Sequence, residues 1–363
     1  MAAPGRFPGD ENVSNEIRVK ASSLREMHDT TGERTWNFEK FISHGSSGFT
    51  MKLKYADGKN STSFVGKWGI TDKEDAKIAK EIETLTLLRG GDNIQQLFRA
   101  PGSTANFNAP HIRGTALFSE WIGNGIIRDF VSRRDTWKHP LPNRMLWKFF
   151  FCLCKMVAVM AWPASGGRRG RILPQGGGLP PMSGIIHGDF NIQNVMIGDF
   201  GDQEHSTIPM LKLIDFGRFQ ETDDSDYAVK RNLYDIACIM LHLIGVFPTN
   251  TPGMIEAIYQ DGKKVVRSRG KDLDGQNPMY NEYKSWILNL DPDLRGLLAS
   301  CMAVRQDQKP DFVWLAGQVE YYYRNKKASD YTSYQWKDNE SDEALRRISK
   351  RLILRIEPSG PWA

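Results

Sequence analysis

The sequence predicts an α+β protein with two lobes, in which a strand-rich first part is followed by a helix-rich second part. Three short segments between Trp36 and Trp68 alternate apolar and polar residues, a pattern typical of half-buried strands. Beyond residue 140, apolar residues instead recur at helical spacing over long segments. A chain of 363 residues has enough apolar material for one large domain or two lobes, and this segment order favours two.

The composition is that of a soluble globular protein, with 40% hydrophobic and 25% charged residues. The most apolar stretch, WKFFFCLCKMVAVMAW, carries a lysine and is too short to span a bilayer, so no membrane association is expected. The N-terminal residues lack a signal-peptide-like apolar stretch, which predicts a cytoplasmic location without excluding the nucleus. A net charge of +5 is compatible with nucleic acid as a partner but is too small to predict it. The four cysteines lack metal-ligand spacing and are expected to be reduced, buried thiols.

The first 119 residues are predicted to form a leader and the strand-rich lobe. Residues 1–35 are polar and contain Pro and Gly, which indicates a flexible leader, and residues 36–119 form the first lobe. Strands are predicted in FEKFISHG, FTMKLKYADG and NSTSFVGKWG. A helix then begins at Thr71 or Asp72 and ends at Gly90-Gly91. Its apolar face consists of Ile78, Ile82, Leu85 and Leu88.

Residues 120–325 are predicted to form the helical second lobe, and residues 326–363 a charged C-terminal extension. A strand is expected in TALFSEWI, and the strongly apolar segment LPNRMLWKFFFCLCKMVAVMAW predicts a buried helix. Residues 163–184 are rich in Gly, Pro and Arg, which predicts a mobile loop. Further helices are predicted in YDIACIMLHLIG, DPDLRGLLASCMAV, PDFVWLAGQVEYYYRNK and SDEALRRISKRLILRI.

The tripeptide Asp-Phe-Gly occurs twice, at residues 199–201 and at residues 215–217. The apolar runs NVMI and LKLI flank a polar segment with turn formers, which predicts a β-hairpin. The first tripeptide then lies in the connecting loop, where Asp199 is interpreted as a turn residue. The second follows directly on a strand, so that Asp215 is held rigidly.

Antiparallel pairing in this hairpin brings Asn194, at the start of the first strand, close to Asp215, at the end of the second. Asp189 precedes Asn194 by five residues. Amide and carboxylate oxygens at short range are hard ligands that suit Mg²⁺ carrying a phosphate chain. The sequence therefore predicts a magnesium site formed by Asn194 and Asp215, with Asp189 beside it.

These motifs resemble those of the protein-kinase superfamily, and the similarity extends from Trp36 to Tyr323. The catalytic loop of that family reads H-R-D-x-x-x-x-N and is followed by D-F-G. The segments HGDFNIQN and DFG at residues 187–194 and 215–217 are similar to both. The resemblance implies a bilobal protein kinase-like fold in which Asp189 accepts the proton of a substrate hydroxyl. It also implies that Asn194 and Asp215 hold Mg²⁺.

The upstream part of the resemblance implies an ATP site. ISHGSSGFT is similar to the glycine-rich loop that closes over phosphates, and FVGKWG to the strand whose lysine contacts the α- and β-phosphates. Glu81 matches the glutamate partner of that lysine, whereas its competitor Glu83 points away from the apolar face. FSEWIGNG resembles the hinge that binds adenine. The implied ATP-binding residues are Gly45, Ser46, Ser47, Gly48, Lys67, Glu120 and Ile122.

The chain departs from protein kinases in its catalytic loop and activation segment. Gly188 replaces the loop arginine, Asn191 replaces a lysine, and no A-P-E motif follows Asp215. His-Gly-Asp and the short segment resemble instead the small-molecule kinases of the superfamily, such as aminoglycoside and choline phosphotransferases. Asp235 matches the aspartate that braces the catalytic loop.

The resemblance implies a Mg·ATP-dependent phosphotransferase that moves the γ-phosphate to a hydroxyl, with a small-molecule acceptor favoured over a protein Ser/Thr. A pseudokinase or scaffold that binds nucleotide or partners without turnover is the alternative, favoured by Ser43 and Asn191. A second alternative reuses the fold for adenylylation or for aminoacyl-tRNA-dependent condensation, with Arg168, Arg169 and Arg171 contacting an anionic partner. The oligomeric state is not predicted.

Overall fold

The computed structural model describes residues 34–45, 48–58, 60–100, 115–168, 170–176, 178–201 and 203–354. The predicted leader lies outside the described residues except for its last two positions, which begin the first strand. Ser46, Ser47 and Arg169 also lie outside the described residues.

The described residues form a mixed structure of helices and mainly antiparallel strands, which agrees with the predicted α+β class. The strands are β1 (Arg34–Gly45), β2 (Gly48–Asp57), β3 (Asn60–Trp68), β4 (Ala116–Glu120), β5 (Ile185–Ile186), β6 (Val195–Ile197), β7 (Leu211–Leu213), β8 (Gln220–Glu221), β9 (Gly253–Tyr259) and β10 (Gly262–Ser268). The α-helices are α1 (Asp72–Leu87), α2 (Ile127–Trp137), α3 (Asn143–Ala161), α4 (Ser225–Ile244), α5 (Lys284–Leu288), α6 (Pro292–Cys301), α7 (Phe312–Asn325) and α8 (Asp342–Leu354). Short 3₁₀ helices span Gln203–His205, Lys271–Asp274, Pro278–Tyr283, Gln306–Gln308, Ala328–Tyr331 and Lys337–Glu340.

The first four strands form one antiparallel sheet in the order β1-β2-β3-β4. Gly45 pairs with Gly48 where the β1–β2 hairpin closes, and Lys67 on β3 pairs with Thr50 on one side and Leu117 on the other. The sheet has its own cluster of buried side chains, dominated by aromatic rings. Among them, the ring centroids of Phe64 and Phe98 are 4.3 Å apart. Alternation of side chains along β3 buries one face in this cluster and leaves Lys67 on the other.

Helix α1 begins as predicted. Thr71 is its N-cap, and a capping box with Glu74 satisfies the first free backbone amides. On the predicted apolar face, Ile78, Leu85 and Leu88 are buried and Ile82 is half-buried. Glu81 lies on the buried side of the helix because it is three residues after Ile78 and four before Leu85, whereas Glu83 is exposed.

Helix α3 is the centre of the larger core. All of its residues except Arg144 are buried, and it packs against α4 and α7. The larger core also includes side chains of α1, of the β6–β7 hairpin and of α8. The loops that carry Asp189 and Asp215 are therefore anchored on a closely packed helical base.

Some features were not predicted from the sequence. Strands β9 and β10 form a hairpin in which Tyr259 pairs with Gly262, so that Gln260 and Asp261 form the turn. Helix α2 was also missed. The segment 163–184, predicted as a mobile loop, contacts the helices through its fully buried Ile172 and through a hydrogen bond from the Trp162 indole to the Pro180 carbonyl.

All four cysteines are free thiols, and three of them are buried while Cys238 is half-buried. In the described part of the chain, no helix is both long and apolar enough to cross a membrane.

Candidate functional site

Three side chains from distant parts of the sequence meet at Lys67. Its Nζ atom donates to Glu81 Oε2 at 2.7 Å and to Asp215 Oδ1 at 3.0 Å. The second carboxylate oxygen of Glu81 accepts the backbone N–H of Phe216 at 3.2 Å. Strand β3, helix α1 and the end of β7 are therefore joined by one polar cluster that consists of Lys67, Glu81 and Asp215.

The charges of this cluster stabilise one another. Burial opposes the charge of Lys67, but Glu81 and Asp215 outweigh burial and raise the pKa of the ammonium group. Burial likewise opposes ionisation of Asp215, yet Lys67 outweighs it and lowers the pKa of that carboxyl. Burial raises the pKa of Glu81, against the attraction of Lys67. Lys67 and Asp215 are therefore both charged at neutral pH.

Asp215 has an unusual backbone conformation. Its φ angle is +59°, in the left-handed region that non-glycine residues seldom adopt. The Gly217 N–H donates to Asp215 Oδ1 at 3.3 Å, and Lys67 holds the same oxygen. The side chain is 42% exposed, so the carboxylate is fixed at one end and open to solvent at the other. Strain maintained by several contacts is a common feature of functional sites.

The predicted catalytic loop is held by its histidine and its amides. His187 is fully buried; its Nδ1 accepts the Asp189 N–H at 3.2 Å, and its Nε2–H donates to the Ile214 carbonyl at 3.1 Å. Burial lowers the pKa of His187 to about 4, so the ring is neutral. Asn194 Nδ2 donates to the Asp189 carbonyl at 2.8 Å, and the Asn194 carbonyl accepts the N–H of Ile214. The structure therefore places Asp189 and Asn194 beside the residue that precedes Asp215.

The structure explains why position 188 is a glycine. Its φ angle is +77°, and a Cβ atom at this position would lie 2.2 Å from the Arg218 carbonyl oxygen. A larger residue would push the loop away from the segment that follows Asp215. The close approach of these two backbones brings Asp189 next to the second tripeptide.

Asn191 and Arg218 both contact the Asp189 carboxylate. Asn191 Nδ2 donates to Asp189 Oδ1 at 2.8 Å, while Asn191 Oδ1 accepts the Gln193 N–H at 2.8 Å. An Arg218 guanidinium nitrogen lies 3.8 Å from the same Asp189 oxygen. Arg218 was not identified from the sequence, because nothing in the tripeptide pattern assigns a role to the residue after it.

The brace of the loop also includes a residue that was missed. Asn232 on α4 accepts the His187 N–H at 3.3 Å and donates to the Ile185 carbonyl at 2.8 Å. Asp235, predicted as the brace, forms an ion pair with Arg231 at 3.4 Å. Burial raises the pKa of Asp235 to about 6. Asn232 could have been found as the polar residue one helical turn before Asp235 on the same buried face.

The implied nucleotide residues lie on both sides of Lys67. Gly48 has a φ of +104°, and a Cβ there would lie 1.8 Å from the Trp68 carbonyl oxygen, so this glycine is required by the hairpin itself. Glu120 ends β4, the neighbour of β3, and its carboxylate accepts Lys212 Nζ at 2.6 Å. Ile122 is buried. The predicted hinge therefore runs from the sheet to the β6–β7 hairpin.

The first tripeptide lies where the hairpin prediction placed it. Strands β6 and β7 pair antiparallel, with Val195 opposite Leu213, and Asp199 lies in their connection. Asp199 is exposed and accepts Asn124 Nδ2 at 3.2 Å. In the segment 163–184, Arg168 donates to the carbonyls of Arg89 and Pro163 at 2.8 and 3.1 Å, which holds this segment in place.

At the second tripeptide, Asn194 and Asp215 would supply one amide oxygen and one carboxylate oxygen to a magnesium ion. Because the Asn194 amide nitrogen is bonded to the Asp189 carbonyl, its oxygen faces the opposite direction. Asp215 adds a charged, partly exposed carboxylate. Among the described residues, no group of three or more His, Cys, Asp or Glu side chains could hold a metal. Only two protein ligands are typical of Mg²⁺ bound together with substrate phosphates.

No protein-family model matches this chain, and a search of curated proteins also finds no match.

Proposed function

We propose that the chain is a Mg·ATP-dependent phosphotransferase with a bilobal protein kinase-like fold, which transfers the γ-phosphate of ATP to a hydroxyl. The observation that carries this proposal is the contact of Lys67 Nζ with both Glu81 and Asp215, at 2.7 and 3.0 Å. Asp215 is 148 residues from Lys67 in the sequence. Phosphoryl transfer depends mainly on positioning and charge stabilisation, and this cluster supplies both.

Each side chain has a role that its position supports. Glu81 orients the ammonium group of Lys67, which contacts the α- and β-phosphates of ATP. Asn194 and Asp215 hold Mg²⁺, which neutralises the charge on the phosphate oxygens when bound. The Asp189 carboxylate, which is one-third exposed and oriented by Asn191, accepts the proton of the acceptor hydroxyl.

The short segment after Asp215 supports a small-molecule acceptor. Helix α4 begins at Ser225, ten positions after Asp215. Between Asp215 and Ser225, Gln220 and Glu221 pair with β5. Nine residues, 216–224, are therefore available, and two of them pair with the strand that precedes the catalytic loop. Such a segment offers little backbone on which an extended peptide could be laid, whereas a small alcohol needs no platform.

The proposal is tested by replacing Asp189 and measuring ATP consumption in the presence of a library of small hydroxyl compounds and of Ser/Thr peptides. Asp189→Ala is expected to lower turnover about 10²- to 10⁴-fold, because it removes the general base. Binding of Mg·ATP, measured by calorimetry, should change little. Asp199→Ala is the matched control and should keep full activity.

Two results would contradict the proposal. Equal turnover in the Asp189→Ala variant and the wild type would remove the proposed chemistry. Binding of Mg·ATP without turnover on any acceptor would favour the pseudokinase alternative.

A further inference from the structure

The candidate site needs positive charge near the transferring phosphoryl group. Lys67 already contacts two carboxylates, and the resemblance assigns it to the α- and β-phosphates. Asn191 is neutral, and both ends of its amide are used within the loop. Position 191, where protein kinases have a lysine, therefore carries no positive charge in this chain.

Arg218 is placed where that charge is missing. Its guanidinium group lies 3.8 Å from Asp189 Oδ1, on the carboxylate that the proposed function assigns to the acceptor hydroxyl. Its backbone is fixed because the Arg218 carbonyl packs against Gly188. The side chain is 69% exposed, so only its base is constrained. An exposed ion pair of this length is weak, and the guanidinium can turn from Asp189 to another anion at little cost.

We propose that Arg218 is a catalytic residue that binds the non-bridging oxygens of the transferring γ-phosphoryl group, in place of the absent loop lysine. This inference rests on the proposed function. A guanidinium offers two parallel N–H donors that match phosphate oxygens. Gly188 is part of the same arrangement, because its missing side chain lets the Arg218 backbone approach Asp189.

The step in which Arg218 acts is an in-line transfer. The acceptor oxygen forms a bond to the γ-phosphorus while the bond from that phosphorus to the β–γ bridging oxygen breaks. The bridging oxygen keeps the electron pair and leaves as part of ADP, and the hydroxyl proton passes to Asp189. Arg218 is unchanged and stabilises the negative charge of the phosphoryl oxygens in the transition state.

The experiment compares Arg218→Met and Arg218→Lys with the control Arg305→Met. Arg305 is also 69% exposed and is paired with Asp307 at 2.6 Å. Two affinities are measured by calorimetry: that for Mg·ADP alone, and that for Mg·ADP with aluminium fluoride, which mimics the transferring phosphoryl group. The rate of Mg·ATP hydrolysis over a range of pH is the second readout.

For Arg218→Met, we expect the aluminium fluoride complex to weaken about 100-fold and hydrolysis to slow by a similar factor. Affinity for Mg·ADP should stay within twofold of the wild type. Arg218→Lys should recover part of both losses, because it restores the charge but not the paired donors. Arg305→Met should match the wild type in every readout.

Two outcomes would overturn the inference while leaving the proposed function intact. One is an unchanged aluminium fluoride affinity in a folded Arg218→Met variant. The other is a hydrolysis rate altered only through a shift of its acidic pH limb, which would show that Arg218 acts on Asp189 alone. If the wild type itself fails to bind Mg·ATP, the proposed function is contradicted and the inference with it.

Discussion

The two Asp-Phe-Gly tripeptides lie at opposite ends of one hairpin and have different surroundings. In the first, residues 199–201, the aspartate is exposed and bonded to Asn124, and the phenylalanine is half-buried. In the second, residues 215–217, the aspartate contacts Lys67 and the phenylalanine is 1% exposed. The same three residues thus form a surface turn in one place and the centre of a polar cluster in the other.

The difference between the tripeptides comes from contacts that are distant in sequence. The second tripeptide contacts strand β3 through Lys67, helix α1 through Glu81 and the loop before Asp189 through His187, because antiparallel pairing directs the end of β7 toward them. The end of β6 points the opposite way, toward the loop of the hairpin. The tripeptide sequence alone therefore does not define a functional site; the residues that contact it do.

Replacing each phenylalanine tests the difference in packing, and it gives the largest expected effect. Phe216 is in the core and contacts the His187 ring, with centroids 4.7 Å apart. Phe216→Ala is expected to lower the free energy of unfolding by about 3–5 kcal/mol. Phe200→Ala should cost about 1–2 kcal/mol, since that ring is only partly buried. Urea unfolding measures both, and equal losses would contradict the comparison.

The pH dependence of stability tests whether His187, which contacts Phe216, is neutral in the folded protein. Burial lowers the pKa of His187 from 6.5 to about 4. As the pH falls below 6.5, the unfolded state takes up this proton first, so stability is lost progressively until about pH 4. The loss amounts to roughly 3 kcal/mol.

The test of this prediction compares the wild type with His187→Gln, which cannot take up the proton. The difference in unfolding free energy between the two proteins should shrink between pH 6.5 and pH 4. Asp235 titrates in the same range, with a raised pKa of about 6, but it is present in both proteins and cancels in the difference. A pH-independent difference would contradict a neutral, buried His187.

Replacing Gly188 and Gly201 by alanine is expected to give a smaller difference in stability. Gly188→Ala places a Cβ 2.2 Å from a backbone oxygen at a φ of +77°, and backbone strain alone should cost roughly 1–3 kcal/mol. The nearest atom to a Cβ on Gly201, in the first tripeptide, is His205 Cβ at 3.6 Å, an ordinary contact. Gly201→Ala should stay within about 0.5 kcal/mol of the wild type. Thermal unfolding measures both, and a neutral Gly188→Ala would contradict the close packing at the loop.

Local patterns predicted part of the secondary structure, although helix α2 and the β9–β10 hairpin were missed. The β6–β7 hairpin and the apolar face of α1 follow from side-chain periodicity, and these two elements placed Asp215 and Glu81 correctly. The pairing of Glu81 with Lys67 was expected from the family resemblance and is present in the structure, whereas the contact of Asp215 with Lys67 was not predicted. Periodicity fixes which side of an element is buried but not which other element covers it.

The residues that were missed act through tertiary contacts. Asn232 holds the loop from a helix 45 residues away, and an asparagine inside an apolar helix gives no sign of its partner. Arg218 reaches Asp189 only because Gly188 allows two backbones to approach. A glycine that breaks a family pattern was the available signal, since it indicates either a positive φ or a close contact.

The proposed metal site is tested by measuring how Mg²⁺ changes ATP affinity in the wild type, Asp199→Asn and Asp215→Asn. Calorimetric titration of each protein with ATP, in the presence and in the absence of Mg²⁺, gives the increase in ATP affinity that Mg²⁺ causes. We predict that Mg²⁺ strengthens ATP binding in the wild type and equally in Asp199→Asn, and that in Asp215→Asn this increase in affinity is at least about tenfold smaller. An undiminished gain in Asp215→Asn, or its loss in Asp199→Asn, would contradict the assignment of the metal site to the second tripeptide.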